Sequence, residues 1–171
     1  MNIPEKLINF RAYENGDDLL GVADINLPSL QAMTETIKGA GLAGEINSPV
    51  LGHYSSIETQ LTWRSVYKNN LKLAAPKGLT LDLRGAVQVK DSESGNFVVL
   101  PVKVVVRGVP KNLELGKFDV GVATGTTTTL EVDYIKVTVD GSDVLELDKY
   151  NYICKIDGTD YLSEVREALG L

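Results

Sequence analysis

The sequence is poor in the residues that most often carry chemistry. Among 171 residues there is one cysteine (Cys154), one histidine (His53) and one tryptophan (Trp63). A single cysteine cannot close an intrachain disulfide, which excludes a disulfide-stapled secreted scaffold and suits assembly in a reducing compartment. A single histidine has no second histidine, and no cysteine nearby in sequence, to join it as a metal ligand. Long hydrophobic runs are also missing. The start, Met1-Asn2-Ile3-Pro4-Glu5-Lys6, is polar and carries no charged-then-apolar export signal, so the expectation is a chain that neither spans a membrane nor leaves the cell by itself. Positive charge is outnumbered, with 17 Lys and Arg against 23 Asp and Glu, a net charge of −6 and a pI near 4.8. A chain of that sign is ill suited to gripping an anionic nucleic-acid backbone.

What is present is a core-forming, strand-rich chain. Hydrophobic residues make up 43% of the sequence, enough for one globular domain over residues 1–171. From Leu79 to Lys90, apolar residues fall on odd positions (Leu79, Leu81, Leu83, Val87, Val89) and polar ones mostly on even positions. A period of two kept over twelve residues predicts a strand with one buried face. Asp91 to Asn96 reads as a turn, and Phe97 to Arg107 as a second strand, apolar on both faces and therefore expected to be deeply covered. Together they predict a long hairpin, with Pro101 at an edge or a bulge. Asp140-Gly141-Ser142-Asp143 predicts a hairpin turn between strands at 127–139 and 144–156. Leu7–Tyr13 and Leu19–Ile25 flank a turn over Glu14 to Asp18, and Leu30–Lys38 and Ile57–Val66 are further strands. Helix is expected in two places only. One is a short segment within 67–75, stopped by Pro76. The other spans Asp160 to Leu169, capped by Thr159 or Asp160, with Leu162, Val165 and Leu169 on one face and Gly170 after the last turn.

Residues 39–56, GAGLAGEINSPVLGHYSS, show no clear period. An eighteen-residue loop is unusual inside a compact domain. Its apolar residues Leu42, Ile46, Val50 and Leu51 argue against a simple solvated linker and for a segment that orders against a neighbour.

Candidate chemistry is thin. His53 sits beside Tyr54 in that loop and reads as a packing or interface residue. Cys154 alternates with Tyr150, Tyr152 and Ile156, as a small buried hydrophobe would. The carboxylates are scattered: Asp17-Asp18 is a turn pair, Glu131 and Asp133 share a strand face, and nothing marks a glycosidase-like acid pair. The glycines of Lys38-Gly39-Ala40-Gly41-Leu42-Ala43-Gly44 loosely resemble a phosphate-binding loop, but no helix pattern and no Lys-Ser/Thr follows, so turns are the simpler reading. Thr126–Thr129 reads as the start of a strand and Trp63 as core or subunit contact.

Three stretches, in order along nearly the whole chain, resemble the major tail tube protein of contractile-tailed phages and related contractile bacteriocins. Leu27-Pro28-Ser29-Leu30, followed by Glu35-Thr36-Ile37-Lys38-Gly39-Ala40-Gly41-Leu42, is similar to that family's "LP-x-L … E-x-x-R-G-A-G-M", with Lys38 for Arg and Leu42 for Met. Val104-Val105-Val106-Arg107-Gly108 is similar to its "hydrophobic-R-G" strand end. Asp133 to Gly141, then Leu145-Glu146-Leu147-Asp148, resembles its "Y-x-L-x-x-D-G … E-I-D" hairpin. Residues 67–78 depart most from the pattern.

The resemblance implies a mainly β, antiparallel sandwich or barrel-like subunit with no catalytic, cofactor or metal site. It implies hexameric rings stacked into a hollow tube inside a sheath, with baseplate and tail terminator proteins as further partners. DNA would be met only in transit, and there would be no membrane anchor. Assembly would take place in the host cytoplasm, and the tube would end in a particle released by lysis. On that expectation a polar strand face lines the lumen: Thr34, Thr36 and Lys38 on one strand, and Glu58, Gln60, Thr62 and Arg64 on another. Residues 39–56 then become the ring-stacking loop, through Gly39, Gly41, Leu42, Gly44, Ile46 and Val50, and deletion of 42–52 is expected to leave a folded monomer that cannot polymerise. The C-terminal helix is expected on the outer, sheath-facing side. The alternative reading of the same β-rich chain is a monomeric binding module such as an adhesin.

Overall fold

The computed structural model describes residues 1–16 and 18–171 and, for Asp18, Leu19 and Ala23, the backbone alone. Asp17, in the first expected turn, lies outside the described residues. The elements run β1 (Asn2–Glu14), β2 (Asp18–Leu20), β3 (Val22–Asn26), β4 (Ala32–Lys38), β5 (Glu45–Tyr54), β6 (Glu58–Trp63), α1 (Lys68–Lys72), β7 (Leu79–Asp91), β8 (Phe97–Glu114), β9 (Thr126–Val139), β10 (Ser142–Asp148), β11 (Ile153–Ile156), β12 (Thr159–Asp160) and α2 (Ser163–Leu169). One large antiparallel sheet has the order β12-β11-β10-β9-β8-β7-β1-β2, and β6 joins it at β9 and carries β3. β4 and β5 form a separate two-stranded sheet.

β9 organises the large sheet. Its first half, Thr126–Glu131, pairs with β6, and its second half, Tyr134–Val139, pairs with β10 on the same side. β2 and β3 pair with strands far apart in the sheet order, yet only Gly21 separates them in sequence. The sheet therefore curls round on itself to bring those edges together. No ladder joins β2 to β3 among the described residues, so the barrel stays open.

The core lies inside this curl: Leu79, Leu81 and Leu83 of β7, Val104 and Val106 of β8, Leu130 and Val132 of β9, Leu61 and Trp63 of β6, with Leu73 and Leu162 from the helical ends. The period of two read on β7 appears in the burial of Leu79, Leu81, Leu83 and Val89, but Asp82 of the other face is buried as well and Gly85–Gln88 are all half-buried. On β9 the inward set switches from even positions (Leu130, Val132) to odd ones (Ile135, Val137). A one-residue phase change needs a bulge, and the register supplies it: Arg107 faces Tyr134 and Gly108 faces Val132, so Asp133 is the extra residue.

Four expectations are corrected. Residues 39–56 are not a loop: β5 pairs with β4 from Glu45 to Pro49 and again at Tyr54. No period was visible because neither face of this hairpin is buried, so no alternation is imposed on it. Secondly, the start of β8 is uncovered, with Phe97 64% exposed and Val98 and Val99 also exposed. Here the β1–β7–β8 sheet runs past the core as an arm. β9 reaches only to Val102, leaving the β8 edge open from Phe97 to Leu100. Pro101 accepts a bond from the Asp140 N–H, so its own nitrogen also points at the β9 side, where that strand has ended. Thirdly, the strand expected over 144–156 breaks after Asp148, whose carboxylate accepts from the Tyr150 and Asn151 N–H groups in a tight turn. Tyr150 is consequently exposed and only Cys154 of that alternating set is buried. Finally, α2 starts at Ser163. Thr159 and Asp160 form β12, although Asp160 still accepts the Leu162 N–H and binds Arg166. Leu162 is buried and Val165 packs on the core, but Leu169 is exposed.

Candidate assembly surfaces

The residues picked out for a lumen wall fall on two separate sheets of one subunit. On β6, Thr59, Leu61 and Trp63 are buried, while Glu58, Gln60 and Thr62 face outward, as the alternation predicts. The ladders extend that outward face over four strands. Thr62 and Gln60 stand opposite Asp24 and Asn26 of β3 on one side and Thr127 and Thr129 of β9 on the other, and those face Glu114 and Asn112 of β8. Asn26 donates to Gln60 across the ladder at 3.1 Å. At one end Lys111 binds both Glu58 and Glu131, and Ser56 donates to Glu131 at 2.7 Å. Burial pushes the Glu131 carboxyl up, but the bonds from Lys111 and Ser56 outweigh it and hold the group below the ordinary carboxylate range. Four carboxylates (Asp24, Glu58, Glu114, Glu131) thus share a hydroxyl- and amide-rich face with the Lys111 ammonium, and Lys149 acts on Glu131 from beside Ser55. Arg64 lies one residue past β6, and its carbonyl accepts the Thr124 N–H at 2.9 Å.

Thr34, Thr36 and Lys38 share a face of the β4–β5 hairpin with their cross-strand partners Pro49, Asn47 and Glu45. The Thr36 hydroxyl donates to Asn47 at 2.7 Å. The opposite face carries Met33, Glu35 and Ile37 of β4 with Ile46 and Ser48 of β5. Gly39, Gly41 and Gly44, all at positive φ, turn the chain between the strands, with Leu42 half exposed among them. A strand follows them, not a helix, so the loose likeness to a phosphate loop ends there. At its base the hairpin widens through Val50–His53, where Gly52 (φ 62°) presses against Leu162 and the His53 Nδ1–H donates to the Leu51 carbonyl at 2.7 Å. Met33, Ile37, Ile46 and Val50 are all exposed.

Sequence reasoning missed a further apolar projection, the connection between β8 and β9, where Phe118 is 89% exposed and Val120 fully so. The signal was there: Phe118, Val120 and Val122 alternate with Asp119 and Gly121, yet they fall in no strand of the fold. Trp63 is core, its Nε1–H donating to the Thr128 hydroxyl at 3.1 Å. Burial pushes the Cys154 thiol up, away from reactivity. Glu131 and Asp133, expected on one face, engage different cations because of the bulge. Asp133 takes Arg107 at 2.7 Å.

That bulge gathers the scattered motif residues. Arg107 also approaches Asp148 at 3.7 Å and lies 5.2 Å from the Tyr134 ring centre. Gly108 is needed beside it, because a Cβ there would sit 2.1 Å from the Glu131 carbonyl oxygen. The Arg-Gly strand end and both halves of the C-terminal hairpin are therefore one structural node.

A sequence model of the family described as phage tail tube protein FII matches residues 4–170. The chain belongs to that family. The tail tube protein of Escherichia phage P2 is 29% identical over 176 residues, covering all of both chains. The major tail tube protein of Serratia phage KSP20 is 28% identical, over all of this chain and 99% of its own. Among solved structures, the fold is similar to a chain of the extended sheath-tube complex of an extracellular contractile injection system (PVC). The TM-score is 0.54 at 14% identity, over 80% of this chain and 90% of that one. A chain of the same system's sheath/tube terminator gives a TM-score of 0.52 at 15% identity, over 79% and 96%. This family member is a structural subunit of a tail tube, and its mainly β, open curled sheet is the tail tube fold. No helix among the described residues is long and apolar enough to cross a membrane.

Proposed function

We propose that the chain assembles as hexameric rings that stack into the hollow inner tube of a contractile tail. A sheath surrounds the tube, a baseplate starts it and a terminator ends it. Assembly takes place in the host cytoplasm, and the finished tube leaves the cell in the released particle. The observation that carries this reading is the β4–β5 hairpin: a two-stranded sheet exposed on both faces is at best marginally stable alone, so it needs neighbours the monomer does not supply.

The polar face of β3–β6–β9–β8 forms the lumen wall, with Glu58, Gln60 and Thr62 at its centre and Arg64 at its rim. The Thr34, Thr36 and Lys38 face of the hairpin continues that wall from its own sheet. Alternation of polar and buried residues on β6 suits a layer between water and core. Six copies of a −6 chain carry about −36 per ring, and the carboxylate excess on this face repels a nucleic-acid backbone, favouring passage without adhesion. The hairpin, through its Gly39–Gly44 turn and through Ile46 and Val50, bridges one ring to the next. α2, at the far end of the chain, faces the sheath.

The test is negative-stain electron microscopy of the concentrated full chain, alone and with a baseplate complex as nucleus, together with light scattering at several concentrations. Hollow tubes of uniform width are expected. A chain that stays monomeric even with the nucleus overturns the reading in favour of a monomeric binding module.

A further inference from the structure

The hairpin must dock on something, and exposed apolar side chains among the described residues outside it include two groups on the scale of the hairpin's own face. One is the β8–β9 connection around Phe118. The other is the outer face of the arm, where Ile3, Lys90 and Phe97 stand in one rung and Lys6, Gln88 and Val99 in the next. Three observations separate them. The hairpin's Met33–Glu35–Ile37–Ile46 face belongs to a two-stranded sheet, and sheets pack face to face on sheets. The arm is a three-stranded sheet; the connection is a loop. Next, Glu35 sits in the middle of the hairpin's apolar face and has no ion-pair partner among the described residues. Lys6 and Lys90 sit on the arm's outer, mixed face beside Ile3, Phe97 and Val99 and are likewise without an ion-pair partner among the described residues, whereas Lys117 of the connection is already paired with Asp119. Glu5 reaches the arm face through Gln88 and offsets one of the two lysines, leaving the face net positive. Lastly, the open β8 edge, Phe97 to Leu100, borders this face and exposes unpaired backbone that an isolated subunit leaves unprotected.

Resting on the tube reading above, we infer that the β4–β5 hairpin of one copy packs its Met33–Glu35–Ile37–Ile46 face on the Ile3–Lys6–Phe97–Val99 face of the β1–β7–β8 arm of a second copy, with Glu35 set between Lys6 and Lys90. The two surfaces are different patches of the same chain, so the contact is heterologous and propagates from copy to copy, as an open-ended tube requires. Apolar burial around the charges strengthens their attraction, and their pairing fixes the register.

Two experiments test it. In the first, Glu35→Lys is compared with the double variant Lys6→Glu/Lys90→Glu and with the triple combination. Each charge reversal alone is expected to lower the sedimentable tube fraction by roughly tenfold or more, and the combination to restore tubes. All these side chains are exposed, so circular dichroism melts should match wild type. In the second, chains carrying Ile37→Cys are mixed with chains carrying Val99→Cys under a short bis-maleimide, while the native Cys154 stays buried. A 37–99 cross-linked pair is expected from the mixture and not from either variant alone. Tubes assembled from the mixed Ile37→Cys and Val99→Cys chains that yield no 37–99 product, or charge variants that polymerise normally, overturn the docking and leave the tube reading standing. A wild type that forms no tubes with a nucleus present overturns both.

Discussion

β4 and β6 are both short strands with two threonines each, and they end in opposite situations. β6 lies between β3 and β9 and buries Thr59, Leu61 and Trp63 against the core. Among the described residues β4 has β5 as its only strand partner and, Ala32 apart, buries nothing on either face. One strand has its free energy in the monomer; the other has it in an assembly. The surface of β6 is polar because its apolar half is already used. The surface of the hairpin is amphipathic because its apolar half is still unused.

Breaking the β6 side should cost the monomer most. Trp63→Ala removes the largest fully buried side chain and leaves Thr128 without its donor, so a loss of about 3–5 kcal/mol is expected in urea or thermal unfolding. Gly108→Ala comes next. Its Cβ meets main chain on β9, not a side chain that can swing away, so the bulge must shift, at roughly 3 kcal/mol or more. The same melts should report it, and a Gly108→Ala chain that keeps wild-type stability would show that the bulge tolerates rearrangement.

A third effect is smaller and depends on pH. Asp82 is almost covered, which by itself pushes its carboxyl up. The bonds from Arg84 (2.9 Å) and Lys103 (3.1 Å) outweigh that and hold it below the ordinary range. Asp160 is held low by Arg166, and Glu131 by Lys111 and Ser56. Each group binds its proton more weakly folded than unfolded. The stability it contributes is therefore complete above the unfolded value, about 4, and is lost as pH falls through the lower folded value. Urea midpoints should stay level from neutral pH to about 5 and fall below about 4. Asp82→Asn should cost about 1–3 kcal/mol at pH 7 and make the acid slope shallower.

These contrasts also explain what the sequence reveals and what it hides. β7, the β7–β8 hairpin and the β9–β10 turn were legible because one-sided burial writes a period of two. The bulge at Asp133 was legible in principle as the phase change from Val132 to Ile135, but a run as apolar and β-branched as this one reads as a strand in either phase. The C-terminal strand was overextended because Tyr150, Tyr152 and Cys154 keep the alternation through a turn that only the Asp148 carboxylate creates. The lumen candidates on β6 were visible as a pattern. Their companions Asp24, Asn26, Asn112 and Glu114 were not, because cross-strand neighbours far apart in sequence are fixed by register alone. Of the hairpin, β4 was read as a strand, but β5 was misread as loop because its paired stretch, Glu45 to Pro49, holds a single large apolar residue, Ile46, too few to write a period.

The smallest effect on the monomer should accompany the largest effect on assembly, and this is the sharpest form of the comparison. Ile37→Asp with Ile46→Asp places two carboxylates on directly opposed positions of the hairpin's apolar face. Both side chains are already about half exposed, 49% and 54%, so little burial is lost. The monomer's unfolding should move by no more than about 0.5 kcal/mol, as exposed substitutions usually do. Tube formation should nevertheless be abolished, since any neighbour covering that face would have to desolvate two like charges beside Glu35. The matched control is Thr36→Asp on the opposite, polar face, where added negative charge should leave polymerisation nearly unchanged. Equal damage from the two faces would mean that the hairpin is clasped from both sides. Damage from the polar face alone would reverse the assignment, placing Met33, Ile37 and Ile46 towards water and Thr34, Thr36 and Lys38 towards the neighbouring subunit.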